Sequence, residues 1–87
     1  MSWRVVFARR AVKDAQLVKE AGVESKVRPL LELLKDDPFI TPPRYEKLVG
    51  DLAGANSRRI TIQHRLVYEV LEADHCVKVL RMWSHYG

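Results

Sequence analysis

The chain has 87 residues, with fifteen lysines and arginines against eleven aspartates and glutamates and a net charge of +4, so it is long enough for one domain (residues 1–87) and too short for two. It holds no window of 18 apolar residues, and the opening Met1-Ser2-Trp3-Arg4-Val5-Val6-Phe7 has too short an apolar run for a secretory signal, which argues against membrane-spanning and secreted classes and for a soluble, cytoplasmic protein. The single cysteine, Cys76, rules out an internal disulfide framework, and with no acid, histidine and cysteine cluster at ligand spacing neither a metal nor another cofactor is expected.

Trp3 to Phe7 is short, β-branched and aromatic and predicts a first strand. Ala8, Ala11, Val12, Ala15, Val18 and Ala21 then recur at three- and four-residue spacing, the apolar stripe of a helix ending near Gly22. A second helix carries Val27, Leu30, Leu31 and Leu34, with Pro29 expected in its first turn or at a kink. From Asp36 to Arg44, Pro38, Pro42 and Pro43 resist regular structure and mark an ordered connector. Ser57 to Ile62, His64 to Leu71 and Cys76 to Ser84 are rich in β-formers, are separated by polar breaks and predict an antiparallel meander. The order is βαα followed by three or four strands. That order implies an α+β domain, with helices on one face of a mostly antiparallel sheet and the other face open to a ligand.

The basic charge is uneven. Residues 44–68 carry Arg44, Lys47, Arg58, Arg59 and Arg65 against Glu46 and Asp51, and residues 75–87 add Lys78 and Arg81 with no acid. Arg58, Arg59 and Arg65 fall on two adjacent predicted strands, where a hairpin gathers them and guanidinium groups can hold successive phosphates. The plain alternatives are a solvated basic face, or arginines paired with Glu69, Glu72 and Asp74.

Cleaving RNA without a metal needs a base for the ribose 2′-hydroxyl, a cation for the phosphoryl oxygens and an acid for the leaving 5′-oxygen. Glu46, Arg65 and His85 can fill those roles. Each has a simpler reading: Glu46 as a solvated loop carboxylate, Arg65 as a surface ion pair, His85 as incidental to the terminus. Tyr86 can stack on an unpaired base or pack the strand end, and His64 suits fixing a hairpin better than catalysis.

The order of the pieces favours the catalytic reading. Pro43-Arg44-Tyr45-Glu46-Lys47-Leu48, then Leu52 and Gly54, then Ser57-Arg58-Arg59-Ile60-Thr61, then His64-Arg65-Leu66-Val67-Tyr68, then His85-Tyr86 closely resembles the YoeB/Txe family of bacterial toxins. The motif likeness covers residues 36–87; residues 1–35 match by element order. The resemblance implies a RelE-like α+β fold and a ribosome-dependent endoribonuclease that cuts mRNA in the A site and so inhibits translation. It further implies a cognate YefM/Axe-like antitoxin and often a homodimer. By position, Glu46 is implied as general base, His85 as general acid, Arg65 as phosphate stabiliser, and Arg59 and Tyr86 as substrate-binding residues, with Arg58 and Lys47 as further phosphate contacts. Many relatives carry lysine at the position of Val49, and Lys47 is the nearby cation able to compensate; they carry tryptophan where this chain has Asn56, and commonly end at the His-Tyr pair that Gly87 follows here. The rival readings are a non-enzymatic toxin on the same fold, such as the ParE type that binds DNA gyrase, and a plain RNA-binding module.

Overall fold

The computed structural model describes residues 2–84. Its elements in chain order are β1 (Arg4–Phe7), α1 (Arg9–Glu20), α2 (Glu24–Asp36), β2 (Tyr45–Lys47), β3 (Ala55–Arg59), β4 (Arg65–Leu71) and β5 (Cys76–Ser84). The strands form one sheet in the order β1-β5-β4-β3-β2, parallel between β1 and β5 and antiparallel elsewhere. The expected α+β architecture is therefore present. The first strand pairs with the last, a non-local choice that nothing in the local pattern of β1 dictates.

The helical hairpin follows its sequence signals closely. Gly22, at φ 72°, lies just past α1; its N–H reaches the Lys19 carbonyl at 3.1 Å while the Val23 N–H reaches Val18 at 3.2 Å. This is the double hydrogen bond of a Schellman stop, which needs the left-handed backbone that glycine adopts freely. Pro29 lies beyond the first turn of α2 without breaking it. Because it lies on the exposed face, the carbonyl it leaves without a donor is on the solvent side.

Ala11 and Val18 of α1 and Val27 and Leu34 of α2 pack on Leu66, Tyr68, Val77, Val79 and Met82 of the sheet. Two positions of the predicted stripe differ: Val12 is 58 % exposed and Ala21, just past the helix end, is exposed too, whereas Asp14 is only 4 % exposed. The second predicted strand also shifts, running as β3 over Ala55–Arg59 rather than Ser57–Ile62. The Thr61 hydroxyl accepts hydrogen bonds from the Gln63 and His64 amides at 3.1 and 3.0 Å, and the His64 carbonyl takes the Ile60 and Thr61 amides. A hydroxyl that folds the backbone back in this way ends the strand despite the β-propensity of Ile60 and Ile62.

Candidate active site

Three neighbouring strands bring the site together. In the β2–β3 ladder Glu46 lies opposite Ser57, and in the β3–β4 ladder Arg59 lies opposite Arg65. Residues two apart on a strand share a face, so Ser57 and Arg59 join Glu46 and Arg65 on one side of the sheet. With Pro43 and Arg44 they line a depression of about 290 Å³. Arg65 Nη1 stands 3.7 Å from Glu46 Oε2 and 3.5 Å from Ser57 Oγ. The Glu46 side chain is 52 % exposed and that of Arg65 only 20 %. The carboxylate is thus open to solvent while the guanidinium is seated against the sheet. Arg59 and Arg65 face each other as like charges, an arrangement that costs stability in a sheet, and the depression holds three guanidinium groups against one carboxylate. Such an arrangement is relieved by an anion.

The other sequence-derived candidates are placed differently. Lys47 follows Glu46 on β2 and lines a separate depression with Tyr45, Asn56, Val70 and Glu72. It is not among the residues around Glu46. Arg58 is fully buried. Its Nε donates to the Tyr68 hydroxyl at 2.8 Å, Nη2 to the carbonyls of Pro38 and Ile40 at 2.9 Å each, and Nη1 to the Pro43 carbonyl. Its Cζ lies 4.8 Å from the Tyr45 ring centroid and 5.9 Å from that of Tyr68. Burial pushes the Tyr68 phenol up, only partly offset by the Arg58 hydrogen bond and charge, so the phenol stays protonated as an acceptor for Arg58. The structure thus separates Arg58 from Arg59 and Arg65. The tertiary reason is the proline-rich connector, whose carbonyls have no strand partner and fold around the guanidinium.

His85 and Tyr86 lie outside the described residues. Ser84, the last residue of β5 and the neighbour of His85 in sequence, stands opposite Arg65 in the ladder. Three lining residues were not among the candidates from the sequence, Pro43, Arg44 and Ser57. Strand alternation from Arg59 was enough to find Ser57; Arg44 is brought in by the bend of the connector, which has no periodic signal.

Two helices on one face of this mixed five-stranded sheet, with the arginine-lined depression on β2–β4, make up the RelE-like toxin fold. The structure of a YoeB/ParE toxin from Agrobacterium tumefaciens superposes with a TM-score of 0.84 at 32 % identity, over 95 % of this chain and 99 % of that one. A family model described as the YoeB-like toxin of bacterial type II toxin–antitoxin systems matches residues 7–86, and Toxin YoeB of Streptomyces coelicolor is 32 % identical over 85 residues, 95 % of this chain and 99 % of that protein. The chain belongs to the YoeB-like toxin family. A Staphylococcus aureus YoeB, 28 % identical over 99 % of this chain and the whole of that one, is known as a YoeB–YefM complex and as a YoeB dimer, with TM-scores of 0.78 and 0.81.

Proposed function

We propose that this toxin is a ribosome-dependent endoribonuclease that cuts mRNA in the ribosomal A site, acting as one domain over residues 1–87 in the cytoplasm and held in check by a YefM-like antitoxin. The observation that carries the reading is the exposed Glu46 carboxylate 3.7 Å from the seated Arg65 guanidinium, in a depression rimmed by Arg44 and Arg59. Glu46 takes the proton of the ribose 2′-hydroxyl, whose oxygen attacks the adjacent phosphorus. Arg65 holds the non-bridging oxygens as negative charge builds on them, with Arg59 on the neighbouring phosphate. His85 gives its proton to the departing 5′-oxygen, leaving a 2′,3′-cyclic phosphate, and Tyr86 stacks on a base of the codon. An exposed ion pair is worth about 0–1 kcal/mol, so a substrate phosphate displaces Glu46 from Arg65 at little cost. The known YoeB–YefM complex and YoeB dimer support an antitoxin partner and a homodimer for this chain as well. An antitoxin segment lying over Arg59 and Arg65 would block the site.

A depression lined by six residues offers little surface for bending RNA into in-line geometry, whereas holding the reacting atoms in place can contribute roughly 7–11 kcal/mol. The ribosome supplies that alignment. The test is to compare one labelled mRNA, free and on ribosomes with an empty A site. A cut confined to the A-site codon, lost by about 10²-fold or more in Glu46→Gln and Arg65→Ala, is expected. Equal, scattered cutting in both samples would overturn ribosome dependence; absence of cutting, with inhibition of DNA gyrase instead, would replace this reading by the non-enzymatic one.

A further inference from the structure

Asp14 is a buried carboxylate in the apolar stripe of α1, between Ala11 and Val18, where helical spacing asks for a hydrophobic side chain. Its Oδ2 accepts from the backbone N–H groups of Met82 and Trp83, at 3.0 and 3.3 Å, and from Arg81 Nε at 2.7 Å; Oδ1 accepts from Arg81 Nη2 at 3.3 Å. Consecutive amides of a regular strand point to opposite sides. One oxygen can take both only where the strand is irregular. The β4–β5 ladder is irregular there, its register moving from Tyr68↔Val79 to Val67↔Arg81 and then to Arg65↔Ser84. Each shift adds a residue to β5, and such bulges leave amides out of the ladder while bending the strand and re-aiming what lies beyond. Beyond the second shift, which falls between Arg81 and Ser84, come Ser84 and, next in sequence, His85.

We propose that Asp14 is a positioning residue, a clasp from α1 that locks the bulged end of β5 and so sets the direction in which the chain enters His85 and Tyr86. Its effect on catalysis rests on the endoribonuclease reading above. The chemistry suits an anion: a buried carboxylate can accept two amides and a forked guanidinium together, whereas an asparagine turns one of its positions into a donor facing Arg81. Burial alone would push the Asp14 carboxyl up, but the hydrogen bonds from Arg81, Met82 and Trp83 and the Arg81 charge outweigh it and hold it below 3.8. The clasp is therefore charged at neutral pH.

The test uses Asp14→Asn and Asp14→Ala, with the exposed Glu24→Ala as control, each purified from its antitoxin complex. Cleavage on programmed ribosomes should show kcat reduced at least tenfold with KM within threefold in a folded Asp14→Asn protein, and no change in Glu24→Ala. In amide NMR spectra the Asp14 variants should move the signals of Met82 through Tyr86 while those of β1 to β3 stay in place. Wild-type kcat in a folded Asp14 variant would overturn the proposal. So would loss of the whole fold in both variants, which would make Asp14 a folding determinant only. If the wild type itself fails to cut on ribosomes, the endoribonuclease reading falls alone, and the NMR arm decides the clasp: movement extending to His85 and Tyr86 supports it, and changes that stop at Trp83 overturn it.

Discussion

On β3 the side chains of Arg58 and Arg59 leave the backbone in opposite directions, and their energetics differ accordingly. Arg58 gives its donors to three connector carbonyls and a phenol, and each buried acceptor stripped of its donor costs about 1–3 kcal/mol. Arg58→Met should therefore destabilise by about 3 kcal/mol or more, lowering Tm by more than about 10 °C in a domain of this size. Arg58→Lys should recover only part, because a point charge cannot reproduce the fork. Arg59→Met, at an exposed site, should stay within about 0.5 kcal/mol in the same thermal scan. Asp14 has a different signature. A carboxyl held below its ordinary value contributes stability that is fully present above 3.8 and is lost as the pH falls through the native value. The Tm difference between wild type and Asp14→Asn should be constant from neutral pH to about pH 5 and shrink in more acid buffer. A difference independent of pH would remove the charge from the account.

The element that carries Glu46, the proposed base, is the shortest strand among the described residues. β2 spans only Tyr45–Lys47 and sits at the sheet edge, bonded to β3 alone. So short a strand is marginal by itself. Its entry is held by the connector, wrapped over Arg58 and stiffened where the Phe39 amide bonds the Asp37 carboxylate at 3.0 Å. Strand alternation makes this element asymmetric, with Glu46 toward Arg65 and Lys47 toward Asn56 and Glu72. Cleavage should follow that parity. Arg59→Ala should lower activity on ribosomes at least about tenfold, and Lys47→Ala by no more than about threefold, as for a surface residue outside the site. A loss in Lys47→Ala equal to that in Arg59→Ala would mean that the RNA path crosses the sheet edge onto the second depression.

For the whole molecule, helices cover one face of the sheet and leave the arginine-rich side of β2–β4 open, so the proposed docking on ribosomal RNA would be governed by phosphate contacts. Each neutralised phosphate steepens the fall of log affinity with log salt by about 0.7–0.9. Single Arg44→Ala and Arg59→Ala variants should each reduce that slope by roughly one unit, measured as ribosome binding across a salt series. Lys13→Ala, on the helical side, should leave the slope unchanged. kcat at saturating toxin should vary with salt much less than binding does.

Sequence periodicity by itself determined both helices, the stop at Gly22, the last two strands and the nearness of Arg59 to Arg65, because each depends on local spacing or on a single hairpin; Glu46 joined them only by its place in the order of the motifs. It also carried the family, through ordered motifs. The tertiary structure alone decided the rest: β1 beside β5, the burial of Arg58 and the charge of Asp14 inside the core. Those outcomes depend on partners far away in the chain, the Asp14 amides being 68 and 69 residues distant. Alternation shows that Arg58 and Arg59 lie on opposite faces, but not that the unpaired carbonyls of a proline-rich connector will close over one of them. A helical stripe likewise marks position 14 as inward-facing, while only the bulge on β5 supplies the two orphaned amides that make a buried carboxylate stable there.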